Sequence, residues 1–261
     1  MQISVHPKDK RLYSKVLYKA SAKTFYTHYF DKLFARYKVS WKDKNNVYTL
    51  KSSLRFTDFE GFTPKLPSFK YLFSAISTYI ESRKSFILRT PVPFIVFEAI
   101  NKLNEILSPS DRVLEIGSGN STLWFLKKQC KIVSIEHSKI WYDVLKNHID
   151  TIKFDKKTIN NISIHNSSNE DTWKLIGNMN NESFDLILID GANEFNNRNE
   201  CIARSLSKLK KGGWIVLDNS DHPNNWPGSI YLDSKYKRIR FTGFAPMGLY
   251  VTQTSFWQKT D

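Results

Sequence analysis

Residues 111–122 read Asp111-Arg-Val-Leu-Glu-Ile-Gly-Ser-Gly-Asn-Ser-Thr122, a short apolar run that enters a glycine-rich turn and then a stretch suited to a helix. Val113, Leu114 and Ile116 are residues that fill a strand buried on both faces. Gly117 and Gly119 make a turn without side-chain obstruction, so a ligand can approach the backbone. Asn120, Ser121 and Thr122 are natural caps for a helix over about 120–128, which turns free N–H groups and a positive dipole end toward that ligand. Glu115 adds a carboxylate at the strand's carboxyl end, where open α/β sheets bind ligands.

Outward from this stretch the rhythm repeats. Strands are expected over 112–117, 131–136, 162–166, 184–190 and 214–218, separated by helices over about 120–128, 138–149, 170–177 and 195–209. Strands alternating with helices imply right-handed crossovers and a parallel sheet with helices on both faces. The tail differs: 238–244 and 250–257 are strand-like with only 245–249 between them, too short for a parallel crossover, so they should form an antiparallel hairpin. The expected fold is therefore α/β, a Rossmann-like, seven-stranded, mostly parallel sheet ending in an antiparallel hairpin. Upstream, Leu12, Val16, Leu17, Ala20, Tyr26, Tyr29, Phe30, Leu33, Phe34 and Tyr37 recur at helical spacing, so an amphipathic helix is expected over about 10–37. A short strand over 47–50 and helices over 69–83 and 93–107 follow, with Arg89-Thr-Pro-Val-Pro93 as a rigid connector. This divides the chain into a basic, mainly helical extension over 1–92 and a ligand-binding domain over 93–261.

The formal charge of +14 invites a nucleic-acid reading, but its distribution weakens it. Residues 1–56 hold 13 Lys/Arg against 3 Asp/Glu, net +10, which leaves +4 (26 basic, 22 acidic) for the remaining 205 residues. The charge belongs to the leader and could steer an anionic partner without defining the chemistry. Cys130 and Cys201 fit no ligand spacing and are expected as reduced thiols of a cytoplasmic protein. No apolar run approaches the roughly 20 residues needed to span a bilayer.

Two cofactors share this geometry. A dinucleotide fingerprint wants a third glycine where Thr122 stands and an acid about 20 positions on; Glu136 supplies the acid, but the glycine is missing. The run Glu115-Ile-Gly-Ser-Gly-Asn-Ser-Thr122 instead resembles the first motif of the class I S-adenosylmethionine (SAM) methyltransferases, a likeness extending over roughly residues 93–257. The resemblance implies that Glu115, Gly117, Ser118, Gly119 and Thr122 lie along the cofactor's amino-acid end. It further implies that Glu136, followed by His137, holds the ribose, that Asn169 and Glu170 meet the adenine edge with Trp173 stacking nearby, and that Asp190 borders the cofactor. It also makes Arg89 and Thr90 candidates for acceptor contact.

Asp190, Asp218 and Asn219 end neighbouring strands and offer hard oxygen ligands that suit Mg²⁺ or another divalent cation. Metal-dependent O-methyltransferases of the catechol and caffeoyl-CoA types look similar there. The catechol type carries a lysine three residues after the fourth-strand Asp, and this chain has Asn193. Asp190, Glu194, Asp221 and His222 are the candidate bases, His222 being preferred for its near-neutral pKa. The plainer alternative is that Asp190 and Asp218 only bond loop amides. The Asn/Asp-Pro-Pro-aromatic motif of amino-methylating nucleic-acid enzymes is absent, as are a Gly-x-Ser-x-Gly elbow, a Walker lysine and a His-Glu-x-x-His pair. His165 reads as a core histidine in a buried strand, and 222–226 as a polar loop beside the acceptor pocket. The expectation is SAM-dependent O-methylation of a small-molecule hydroxyl (sugar, phenol or secondary metabolite), with a divalent cation as an optional helper. The rivals are an RNA-directed methyltransferase gripping phosphates with residues 1–56, an NAD-dependent oxidoreductase, and a SAM-binding protein without catalysis.

Overall fold

A computed structural model describes residues 39–42, 47–50, 56–84, 88, 91–152, 160–167, 169–191 and 198–260. The helix expected over 10–37, and Arg89, Thr90, Asn193 and Glu194, lie outside these residues. The described chain opens with a small antiparallel pair, β1 (Val39–Lys42) and β2 (Val47–Leu50), followed by helices α1 (Lys70–Lys84) and α2 (Phe97–Ile106). The alternation then runs β3 (Arg112–Ile116), α3 (Asn120–Lys127), β4 (Lys131–Glu136), α4 (Lys139–Thr151), β5 (Ile162–Asn166) and α5 (Asn169–Gly177). It continues through β6 (Phe184–Ile189), α6 (Arg198–Ser205), β7 (Leu209–Asp218), α7 (Trp226–Asp233), β8 (Arg238–Phe244) and β9 (Val251–Gln258).

The seven-stranded sheet has the order β5-β4-β3-β6-β7-β9-β8, parallel from β5 to β7 and antiparallel through β9 and β8. Alternation along the central strands explains why they are apolar throughout. Val113, Leu186 and Leu188 pack under α2, α3 and α4, whereas Leu114, Ile116, Ile187 and Ile189 pack under α5, α6 and α7. With side chains pointing alternately to two helical layers, each position along β3 and β6 must be hydrophobic or internally satisfied. The chain passes from one side of the sheet to the other around β3, whose carboxyl end faces both β4 and β6. That is the switch point where such sheets bind ligands.

Several expectations need correction. His165 is not in a fully buried strand, because β5 is the sheet edge. Its ring is half-buried and its Nε2 hydrogen-bonds the Ser163 hydroxyl at 2.8 Å. The strand expected over 214–218 is longer, since β7 already begins at Leu209, with a register shift against Phe184 and Leu186 that accommodates Gly212 and Gly213. The polar loop expected after β7 is only a short 3₁₀ turn (Pro223–Asn225), and Trp226-Pro-Gly opens helix α7 with proline in its first turn. Gly228 lets α7 sit on α6: a side chain there would meet Ile202 and Asn199, whose Oδ1 accepts the Gly228 N–H at 2.9 Å. Cys130 and Cys201 are free and buried, as expected, and burial pushes both thiols up to about 12.

Residues 56–62 dock on the hairpin. Asp58 accepts from Thr242 Oγ1 and Gln253 Nε2, and Glu60 pairs with Arg238 and Arg240. Among the described residues no helix is long and apolar enough to cross a membrane.

Candidate active site

The turn after β3 is held from both sides. Gly117 has φ +98°, a left-handed conformation, and a Cβ there would lie 2.3 Å from Gly191 Cα. The β3 and β6 ends therefore approach backbone to backbone, and Ile116 O accepts the N–H groups of both Asp190 and Gly191. Ser118 N donates to Glu136 Oε2 (3.0 Å) and Ser138 N to Glu136 Oε1 (2.8 Å), so the acid ending β4 is tied to the turn after β3. Each carboxylate oxygen carries a second lone pair, which leaves Glu136 with acceptor capacity for hydroxyl donors. His137 is half-exposed, its Nδ1 3.3 Å from Glu136 Oε1.

Glu115 is fully buried beneath the turn. Ser134 Oγ and Thr122 Oγ1 both donate to its Oε2 at 2.5 Å; Ser118 Oγ lies 2.6 Å from Ser134 Oγ, and Gly119 N donates to Thr122 Oγ1. A hydroxyl has one proton, so Ser134, which donates to Glu115, receives its own bond from Ser118. Oε1 is equally buried and has no hydrogen-bond partner among the described residues, although the Ser121 hydroxyl is close enough to favour ionisation. Burial raises the Glu115 carboxyl from 4.5 to about 7, against the hydroxyls of Ser121, Ser134 and Thr122 and with the Asp190 charge. An orphaned acceptor at the floor of a glycine turn calls for a donor from a ligand. The residues on β3 and β4 thus fit a cofactor with a cationic end and vicinal hydroxyls.

The second acidic group has a different character. Asp190 follows β6 directly and Asp218 ends the adjacent strand β7. Burial raises both carboxyls, Asp218 well above the usual range, with the Asp190 charge adding to it. Arg198, at the start of α6 and only 7% exposed, inserts between the strand ends. Its Nε donates to Gly191 O (3.0 Å), Nη1 to Asp218 O and Asn219 Oδ1 (3.3 Å), and Nη2 to Asp190 O, 3.5 Å from Asp190 Oδ1. Asp218 Oδ1 accepts from Thr254 Oγ1 (2.6 Å), and Asn219 Nδ2 donates to Thr252 Oγ1 (3.0 Å). The oxygens expected to ligate a divalent cation are therefore arranged around a guanidinium. Among the described residues no group of three or more His, Cys, Asp or Glu side chains is placed to hold a metal ion. As arranged, Asp190, Asp218 and Asn219 do not fit one.

Two expected bases serve packing. His222 Nδ1 accepts the Asn224 N–H (3.2 Å), capping the short turn that follows. Its ring stands edge-on against Phe59. Asp221 is wholly buried and accepts Phe59 N on Oδ2 (2.9 Å), anchoring residues 56–62 to the loop after β7. Asp190, whose side chain is 23% exposed, is the one member of the expected catalytic set that faces solvent at a strand end. Glu170 is exposed in the first turn of α5; Asn169 precedes it in that turn, its side chain outside the description. Trp173 carries the Arg204 guanidinium over its ring at 5.1 Å. Sequence reasoning missed Arg198, and also Trp141, whose Nε1 donates to Ser118 O (2.7 Å) beside Gly119. Neither has a local motif: Trp141 finds its partner 23 residues away, and Arg198 finds its partners 7 to 21 residues away on two different strand ends.

Residues 114–220 match the profile of a family described as a methyltransferase domain, a span that includes Glu115, Glu136, Asp190, Arg198, Asp218 and Asn219. An O-methyltransferase from Bacillus cereus, solved in complex with S-adenosylhomocysteine (SAH), is 17% identical, with 75% of this chain and 92% of that one covered and a TM-score of 0.50. The O-methyltransferase TomG from Streptomyces achromogenes, involved in tomaymycin synthesis and solved with SAM, is 15% identical over 90% of this chain and 96% of that one, with a TM-score of 0.52. At these identities the likeness is one of fold. No curated protein matches the chain.

Proposed function

We propose that this chain, whose residues 114–220 match a methyltransferase domain and whose sheet has the fold of solved O-methyltransferases, methylates the hydroxyl of a small molecule, a sugar, phenol or secondary metabolite, using SAM. When bound, SAM supplies a methyl group made electrophilic by its sulfonium. The chain's own residues bind and orient. The Glu136 carboxylate, fixed by two backbone amides, takes the ribose hydroxyls on its remaining lone pairs. The Gly117–Gly119 backbone lies along the amino-acid end, and the orphaned Oε1 of Glu115 receives the ammonium. Asp190 faces the acceptor with a carboxylate whose proton affinity burial has raised, which suits it to take the hydroxyl proton. Orientation supplies most of the remaining acceleration.

The observation that carries this reading is the pairing of an unpartnered buried carboxylate oxygen with a second, tethered carboxylate one strand away, both inside the matched domain. SAH titrated calorimetrically into wild type and Glu136→Ala tests it. Wild type binds, and the variant weakens by about 1.5–3 kcal/mol, as expected for lost hydrogen bonds to a charged group. Equal affinities would remove Glu136 from the site, and binding of NADH in place of SAH would overturn the reading. Methyl-transfer assays against panels of phenols, sugars and RNA then separate the acceptor classes.

A further inference from the structure

We propose that Arg198 is this chain's built-in substitute for a divalent cation at the β6–β7 edge, so that methyl transfer there proceeds without a bound metal. The inference rests on the methyltransferase reading of the site, but its observations are separate. A guanidinium has five N–H donors and no acceptor. Those of Arg198 face the carbonyls of Gly191, Asp218 and Asp190, Asn219 Oδ1 and the Asp190 carboxylate, five acceptors drawn from the ends of two adjacent strands.

Asp190 Oδ1 and Asn219 Oδ1 are oxygens that a Mg²⁺ or Ca²⁺ ion would have to approach to about 2.0–2.6 Å. Arg198 nitrogens already stand 3.5 and 3.3 Å from these same atoms. A second cation at ligand distance would press against a buried positive charge that cannot be deprotonated. Nor is the arginine free to swing aside, since leaving would strip hydrogen bonds from three strand-end carbonyls and expose two neighbouring carboxylates to each other. The remaining site polar groups are held too: Thr254 Oγ1 donates to Asp218, and Asn219 Nδ2 donates to Thr252. The guanidinium compensates the carboxylates and clamps β6 to β7. It is a positioning residue, because four of its five donors are hydrogen-bonded to protein oxygens and the fifth lies on the Asp190 side.

The test is Mn²⁺ binding to the full chain, followed by electron paramagnetic resonance without substrate, in wild type, Asp190→Asn, Arg198→Ala, Arg198→Lys and Arg198→Ala/Asp190→Asn. Wild type should show no site tighter than about 1 mM, the weak limit of functional hard-cation sites. Removing the guanidinium in Arg198→Ala should uncover a site at least tenfold tighter, which Asp190→Asn abolishes and the cation of Arg198→Lys suppresses. A merely structural arginine predicts no gained site. Stoichiometric Mn²⁺ uptake by wild type that is lost in Asp190→Asn would overturn the proposal, as would a folded Arg198→Ala that gains no site. Should Arg198→Ala not fold, the wild-type and Asp190→Asn titrations still decide. SAH calorimetry on the same samples reports on the cofactor reading independently, so failure of one is not confused with failure of the other.

Discussion

The two halves of the sheet's carboxyl edge treat acidic residues in opposite ways. At the β3–β4 end, Glu115 is held by neutral hydroxyls and keeps one oxygen without a hydrogen-bond partner among the described residues, and Glu136 is held by backbone amides with lone pairs to spare. At the β6–β7 end, Asp190 and Asp218 are compensated by an arginine from the protein itself. A buried oxygen without a donor is costly, so the first half should respond to cofactor in affinity and pH dependence. In the second, Arg198 should respond to substitution chiefly through stability and positioning, and Asp190, the proposed base, through turnover.

The sharpest way to break this contrast is at its hinge. Gly117→Ala places a Cβ against the Gly191 backbone in a left-handed conformation, and the combined strain and overlap should cost about 3 kcal/mol or more. Urea denaturation measures it; a loss below about 1 kcal/mol would mean the strand ends can separate freely. A second effect comes from Glu115, whose carboxyl is raised from 4.5 to about 7. The folded chain binds the extra proton, so its contribution to stability is full below pH 4.5 and is lost as pH rises through 7, a change on the order of 3 kcal/mol without ligand. Glu115→Gln should flatten that part of the stability profile. SAM binding near pH 6 should release a proton as its ammonium ionises Glu115, which calorimetry in buffers of different ionisation enthalpy detects. The smallest effect is expected at His222. With Nδ1 committed to the Asn224 amide, His222→Asn should change kcat less than about threefold, well short of the 10²–10⁴ of a lost general base. A larger fall, with a pH profile that loses a near-neutral limb, would restore His222 as the base.

The same contrast separates what the sequence discloses from what it hides. β3, β4, β6 and the closing hairpin are legible because burial on both faces demands unbroken apolar runs, and the turn from Gly117 to Thr122 because its chemistry is contiguous. Helix α7 is hidden because Trp226-Pro-Gly reads as a turn, while its proline in fact sits in the first helical turn and its glycine is needed for contact with Ile202 and Asn199. Arg198 is hidden more thoroughly. Most of its partners are backbone carbonyls of two strands, and a carbonyl leaves no mark on the residue type that bears it. The pair Asp190 and Asp218 therefore suggests a metal from sequence, and only the fold brings up the charge that answers it. The net +10 of residues 1–56 remains a property of composition, since most of those residues lie outside the described chain.

The central claim is most directly tested by a crystal structure of the full chain soaked with SAH. The account predicts the nucleoside across the Gly117 turn, its ribose hydroxyls within about 3 Å of the Glu136 carboxylate and its amino group on Glu115 Oε1, at hydrogen-bonding distance. Density for the nucleoside away from that turn, or a ribose that leaves Glu136 untouched, would contradict it.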